Sequence, residues 1–145
     1  YRGDDCSAAI RSEACGVAAS KIAVYASVRS ELLSCQRNFA VLPGLIADGR
    51  DMGTVVFPAA DLKIFLTATS EERASRRYKQ LIKKGIDASL PALLRDIRER
   101  DERDINRAQS PLKASDDAVL IDTSNLGIEE VMLKVRQIVK IRGLA

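Results

Sequence analysis

Short apolar runs that each give way to helical spacing constrain this chain more than any other feature. Residues 61–67 and 118–122 read as buried strands, and each is followed by a helical pattern. Thr69 and Glu72 have the spacing of a capping box, for a helix that runs to Lys83 and Lys84 and stops at Gly85. Ile128, Val131, Met132, Val135, Ile138 and Val139 keep helical spacing to the end of the chain. Residues 10–40 also read as helical, with Ser12 as an N-cap and a break near Ala26 and Ser27. Leu90, Leu93, Leu94 and Ile97 form the apolar face of a further helix, closed at Pro111. Strands alternating with helices predict an α/β fold, a parallel sheet flanked by helices. At 145 residues and 46% apolar content, the chain has material for one core.

Residues 45–47 predict one more short strand, which ends abruptly at Asp48-Gly49-Arg50-Asp51-Met52-Gly53. Ligands of open α/β sheets bind beyond the carboxyl ends of the strands, so this edge marks a candidate site. Its Asp-Arg-Asp alternation suits a metal–phosphate unit together with a base edge. With no histidine in the chain, Ser-His-Asp hydrolysis and histidine-ligated metals are excluded. Chemistry therefore rests on Asp, Arg, Lys or a metal. Cys6, Cys15 and Cys35 lack paired spacing and read as reduced, buried thiols of a cytoplasmic protein. A net charge of +3 and the lack of a long apolar run imply neither nucleic acid nor membrane as partner.

A second constellation lies in the charged stretch 98–104 and just beyond it. Arg100, Asp104 and Arg107 stand at i, i+4 and i+7, on one helix face, where two guanidinium forks beside a carboxylate suit a ribosyl phosphate. Spacing alone favours a solvated face of i,i+4 pairs. Arg73, Arg76 and Arg77 are likewise explained by an exposed amphipathic helix.

Residues 43–58, Pro-Gly-Leu-Ile-Ala-Asp-Gly-Arg-Asp-Met-Gly-Thr-Val-Val-Phe-Pro, closely resemble a segment of the bacterial cytidylate kinases, which phosphorylate CMP and dCMP. The resemblance continues through Ile10-Arg11, Ala18-Ala19-Ser20, Val28-Arg29, Lys63-Ile64-Phe65-Leu66, Ser70-Glu71-Glu72-Arg73 and Arg76-Arg77. Arg100-Asp101, Arg103-Asp104, Asn106-Arg107 and Pro111-Leu112 complete it over nearly the whole chain. It implies a P-loop nucleoside monophosphate kinase sheet, incomplete at its N-terminus. Residues 1–30 would be the C-terminal part of the monophosphate-binding insert, 31–75 core, 76–95 the lid region and 96–145 core again.

The resemblance also implies roles. Ser20, Arg29 and Asp51 would read the cytosine edge, since a carboxylate accepts from its exocyclic amine and a guanidinium donates to its ring nitrogen and carbonyl. Arg100 and Asp104 would hold the ribose, and Arg50 and Arg107 the acceptor phosphate. Asp48 would stand near Mg²⁺, acting through coordinated water. Arg76 and Arg77 would be lid arginines that stabilise the charge of the transferring phosphoryl group. ATP would be the co-substrate.

Departures carry equal weight. No glycine-rich loop ending in Gly-Lys-Gly/Ser-Thr occurs in residues 1–145, so a donor nucleotide has no cradle here. Tyr1 to Ser7 resemble the end of the insert's small sheet, and the lack of an initial methionine suggests a piece of a longer protein. Such a piece is expected to be inactive alone, and fragile, rearranged or associated, whereas its parent is expected to be a monomer. Ala59 stands where the family often has an acidic residue. Two other readings are a non-catalytic nucleotide-binding remnant and a nucleic-acid module using residues 95–107; interspersed acids and 4% aromatics weigh against the latter.

Overall fold

The computed structural model describes residues 3–7, 9–108 and 110–144, with Glu13 described by its backbone alone. A 3-10 turn at Ala9–Arg11 leads into α1 (Glu13–Ile22), whose N-cap Ser12 accepts from the Cys15 amide at 3.2 Å. The helical stretch breaks at residues 23–25, slightly earlier than expected, and resumes as α2 (Ala26–Arg37). After a long loop come a π-helical turn at Met52–Val56, β1 (Ile64–Thr67), α3 (Ser70–Lys83), α4 (Leu90–Asn106), β2 (Val119–Asp122) and α5 (Ile128–Ile141).

β1 and β2 pair in parallel, Ile64 opposite Val119 and Thr67 opposite Asp122. The α3–α4 hairpin supplies the crossover that a parallel pair requires. The α/β expectation therefore holds. Only half of the expected capping box forms. The Thr69 side chain accepts from the Glu72 amide at 3.2 Å, but the Thr69 amide donates to Ser124 Oγ at 3.1 Å and Glu72 turns to Arg76. That exchange ties the start of α3 to the loop after β2.

Gly85 ends α3 in the left-handed region at φ +70°. Its amide donates to the Ile82 carbonyl at 2.9 Å and the Ile86 amide to the Leu81 carbonyl at 3.0 Å, the two bonds of a Schellman stop. No atom lies within 4 Å of where its Cβ would stand. Gly85→Ala is therefore a purely conformational test, expected to cost about 1 kcal/mol and to lower Tm by about 2–4 °C. An unchanged thermal melt would show that the turn does not hold the hairpin.

The strand expected over residues 45–47 does not form. A strand needs a ladder partner, none of the described residues pairs with this segment, and Ile46 is fully exposed at 100%. Residues 3–7 form a turn in place of the expected sheet end, and Tyr1 and Arg2 lie outside the described residues. The buried-thiol expectation also fails: Cys35 is exposed, and Cys6 and Cys15 are only half-buried. The described core is small, with Val56, Ala74, Leu93 and Ile121 buried, while Leu42, Leu66, Leu120, Ile128 and Ile141 are exposed. Among the described residues, no helix is long and apolar enough to cross a membrane.

Candidate functional site

The π-helical turn begins at Asp51, whose carbonyl accepts from the amides of Val55 at 2.9 Å and Val56 at 3.2 Å. Tightening the chain this way leaves the Asp51 side chain against α2, where it pairs with the Arg29 guanidinium. Arg29 also donates to the Ala23 carbonyl at 3.3 Å, which holds it across the α1–α2 break. Burial is the main cause that lowers the Arg29 pKa from its ordinary value; the like charge of Arg107 adds to this and Asp104 opposes it. Arg29 thus lies within electrostatic reach of the second constellation. Ser20 on α1 is buried, and its hydroxyl has no hydrogen-bond partner among the described residues.

Asp104 is the centre of that constellation and only 3% exposed. Arg50 Nε lies 2.5 Å from its Oδ2, in contact but without hydrogen-bond alignment. Arg100 Nε stands 3.9 Å from Oδ2 and Arg107 Nη1 3.7 Å from Oδ1. The helix-face expectation needs one correction. α4 ends at Asn106, and Arg107 is its extended C-cap at ψ 138°, so helical spacing does not place it. The chain instead folds back: the Leu112 amide donates to the Asp104 carbonyl at 2.8 Å and Arg107 donates to the Ser110 carbonyl. Arg107 thereby reaches Asp104 with a side chain only 5% exposed.

One buried carboxylate among three guanidiniums, of which Arg107 is nearly buried and Arg50 and Arg100 half-buried, leaves an excess of positive charge. Burial lowers the Arg50 pKa most, Asp104 raises it and Arg100 lowers it further. Buried Nε atoms of Arg50 and Arg100, and Nη2 of Arg107, have no hydrogen-bond partner among the described residues. Unsatisfied guanidinium donors converging from a loop, a helix and a helix cap suit a multivalent oxyanion. Burial excludes the solvated-face reading for Asp104, while Arg100 beside it is half-buried.

Beside this cluster opens a cleft of about 370 Å³, lined by Arg50, Arg73, Arg77 and Arg100 from one set of elements and Arg11, Ser12, Gly16 and Val17 from another. α1 passes close to α4 here: a Cβ at Gly16 would stand 3.4 Å from Arg100 Nη1, an ordinary contact. Arg77 reaches the Arg11 carbonyl at 3.4 Å. Arg73, read from sequence as an ordinary surface residue, makes a two-pronged pair with Asp101, including a 3.0 Å bond from Nη1 to Oδ1, and this hydrogen bonding raises its pKa. No local signal joins residues 28 apart, so only the packing of α3 on α4 identifies the pair.

Two expected site residues stand elsewhere. Arg76 pairs with Glu72 at 2.8 Å and donates to Thr123 Oγ1 at 3.1 Å, the Thr123 carbonyl and the Leu126 carbonyl at 3.4 Å. It braces the loop after β2. Asp48 is exposed and joins no ion pair among the described residues. No group of three or more His, Cys, Asp or Glu placed to hold a metal occurs among the described residues.

A family model described as cytidylate kinase matches residues 1–141. The chain belongs to the cytidylate kinase family. It is similar to a cytidylate kinase of Shewanella denitrificans, 59% identical over 138 residues that make up 95% of this chain and 61% of that protein. A cytidylate kinase of Aeromonas salmonicida is 59% identical over 133 residues, 92% of this chain and 58% of the relative. One of Nitrosococcus oceani is also 59% identical over 133 residues, covering 92% and 59%. The chain spans about three-fifths of the length of the curated relatives it matches. Arg50, Arg100 and Arg107 all lie within the residues that the family model matches.

Proposed function

We propose that these residues form the monophosphate-binding side of a cytoplasmic enzyme of pyrimidine nucleotides that transfers the γ-phosphoryl group of ATP to CMP or dCMP. The observation that carries this reading is the convergence of Arg50, Arg100 and Arg107 on the buried Asp104, next to the Arg29–Asp51 pair. An oxyanion at the arginines and a base at Asp51 together describe a nucleotide.

Asp51 accepts from the exocyclic amine of cytosine, Arg29 donates to its ring nitrogen and carbonyl, and the unpartnered Ser20 hydroxyl adds a third polar group. Uracil presents an oxygen where Asp51 needs a donor. Asp104 and Arg100 take the ribose hydroxyls, and Arg50 and Arg107 clamp the acceptor phosphate, holding its attacking oxygen in place. Positioning of this kind, with charge stabilisation, supplies most of phosphoryl-transfer catalysis. Arg77, on the cleft, faces the transferring group. Arg76 acts in the lid, residues 76–95, only after leaving Thr123 and Leu126. Asp48, a lone exposed carboxylate, fits Mg²⁺, which keeps most of its waters and is held by one or two carboxylates with substrate phosphates. When bound, Mg²⁺ neutralises charge on the phosphates.

Residues 1–145 contain no glycine-rich phosphate loop. This polypeptide alone is therefore expected to bind CMP and to produce no CDP. The test is calorimetric titration with CMP, UMP and AMP at fixed salt and magnesium, beside Asp51→Ala. Saturable binding that favours CMP, with the preference gone in the variant, supports the reading. Equal binding of all three, or none, overturns it.

A further inference from the structure

We infer that Arg37, on the last turn of α2, is a positioning residue for base recognition: it fixes how α2 seats on the π-helical turn, and through that seat the Arg29–Asp51 pair. The inference rests on the nucleotide reading above.

Arg37 Nε donates to the Val56 carbonyl at 2.9 Å and its Nη2 to the Val55 carbonyl at 3.0 Å. These carbonyls belong to the last two residues of the π-helical turn, where main-chain acceptors lack partners within the turn. The amides of the same two residues donate to the Asp51 carbonyl. One short segment thus carries Arg37 on its carbonyl side and the Asp51 main chain on its amide side. Two turns earlier on α2, Arg29 takes the Asp51 side chain. α2 therefore grips the turn at both ends, and it has few other ties. None of its residues is buried and its N-cap Tyr25 makes no side-chain cap bond. Among the described residues, Arg37 and Arg29 are the α2 side chains that hydrogen-bond this turn, and Arg29 is the group a bound cytosine must share.

The turn itself has a separate support. Lys63 Nζ donates to the Pro58 carbonyl at 2.6 Å and to Asp117 at 2.7 and 3.0 Å, and its stem lies 3.2 Å from where a Gly53 Cβ would stand. Lys63 fixes the turn to the start of the sheet, while Arg37 fixes α2 to the turn. Among the described residues, no hydrogen bond from Arg37 or Lys63 reaches the arginine cluster around Asp104. Loss of Arg37 should therefore blur base reading and spare phosphate binding, a split that general destabilisation would not produce.

The experiment titrates the 145-residue chain and its Arg37→Met variant with CMP, UMP and ribose 5-phosphate, well below both melting temperatures. Arg37→Met is expected to lower the CMP-over-UMP preference about tenfold and leave ribose 5-phosphate affinity unchanged. Arg37→Lys, which keeps one donor, should fall between, and it carries the test if the methionine variant does not fold. Adding Arg37→Met to Asp51→Ala should change the preference no further. A full CMP preference in both Arg37 variants, or equal weakening of all three ligands, overturns the inference and leaves the nucleotide reading standing. If the unmodified chain shows no CMP preference, the nucleotide reading falls and takes this inference with it.

Discussion

Asp104→Ala is expected to cost this chain about 3–5 kcal/mol of stability, the range for removing one partner from a buried ion pair. Asp104 is almost fully buried, and Arg100 on the same helix, Arg107 at its C-cap and Arg50 from the Asp48–Asp51 loop converge on it. Taking it away leaves the nearly buried Arg107 guanidinium uncompensated beside those of Arg50 and Arg100, which are half-buried. Like charge held at low dielectric, rather than a lost hydrogen bond, makes the effect large. The same reasoning predicts a rescue. An oxyanion that enters the cluster replaces the missing charge, so added phosphate should restore part of the loss by binding the folded state alone. Urea unfolding with and without phosphate measures both. A loss below about 1 kcal/mol, the size expected of exposed ion pairs, would mean that the cluster is solvated.

Arg50→Met should weaken binding of CMP, UMP and AMP alike, by about 30- to 150-fold, the equivalent of losing roughly 2–3 kcal/mol from a hydrogen bond to a charged group. Arg50 is the one residue of the Asp48–Asp51 loop that reaches across to α4. Burial pulls its pKa below the ordinary arginine value and Asp104 pulls it back. It stays cationic, as arginine does in proteins, and its buried Nε lacks an aligned partner. A donor left this way gains most when a phosphate arrives. Because Arg50 does not pair with Asp51, the CMP-to-UMP ratio should survive the substitution. Base discrimination and phosphate affinity would then be separable. If Arg50→Met instead erased the CMP preference, the division of labour between Arg50 and Asp51 would be wrong. The same titrations decide it.

Salt sharpens the contrast. Raising ionic strength should weaken ribose 5-phosphate binding more than it alters the CMP-to-UMP ratio, since phosphate attraction is largely coulombic whereas base discrimination rests on donor and acceptor pattern. A ratio that fell as fast as the affinity would place the base contact in the same charge cluster.

Local signals were legible without a structure. Ser12 caps α1, Thr69 caps α3, Gly85 stops α3, and the apolar run near residue 120 became β2, because caps, left-handed glycines and buried-strand composition act within a few residues. Family membership was legible for a different reason: residues 43–58 combine polar side chains whose order has no explanation in secondary structure. The short strand over residues 45–47 was not legible, since a strand exists only with a partner to complete its ladder. Arg107 was placed in the right cluster by the wrong geometry: it joins Asp104 from an extended cap, not from a helix face.

Tertiary structure alone decided which charges are buried. A charged helix face and a charged site have the same spacing; in the folded chain Arg50 reaches across to Asp104 and residues 107–112 fold back on α4, and Asp104 and Arg107 are buried there. Tertiary structure likewise paired Arg73 with Asp101, turned Arg76 toward the loop after β2, and set Arg37 on the carbonyls of Val55 and Val56. These contacts join residues 18 to 47 positions apart, beyond the reach of any periodic pattern. Sequence determined which charged and polar side chains were available to a site. Folding determined which of them lost their water, and with it how strongly each can act.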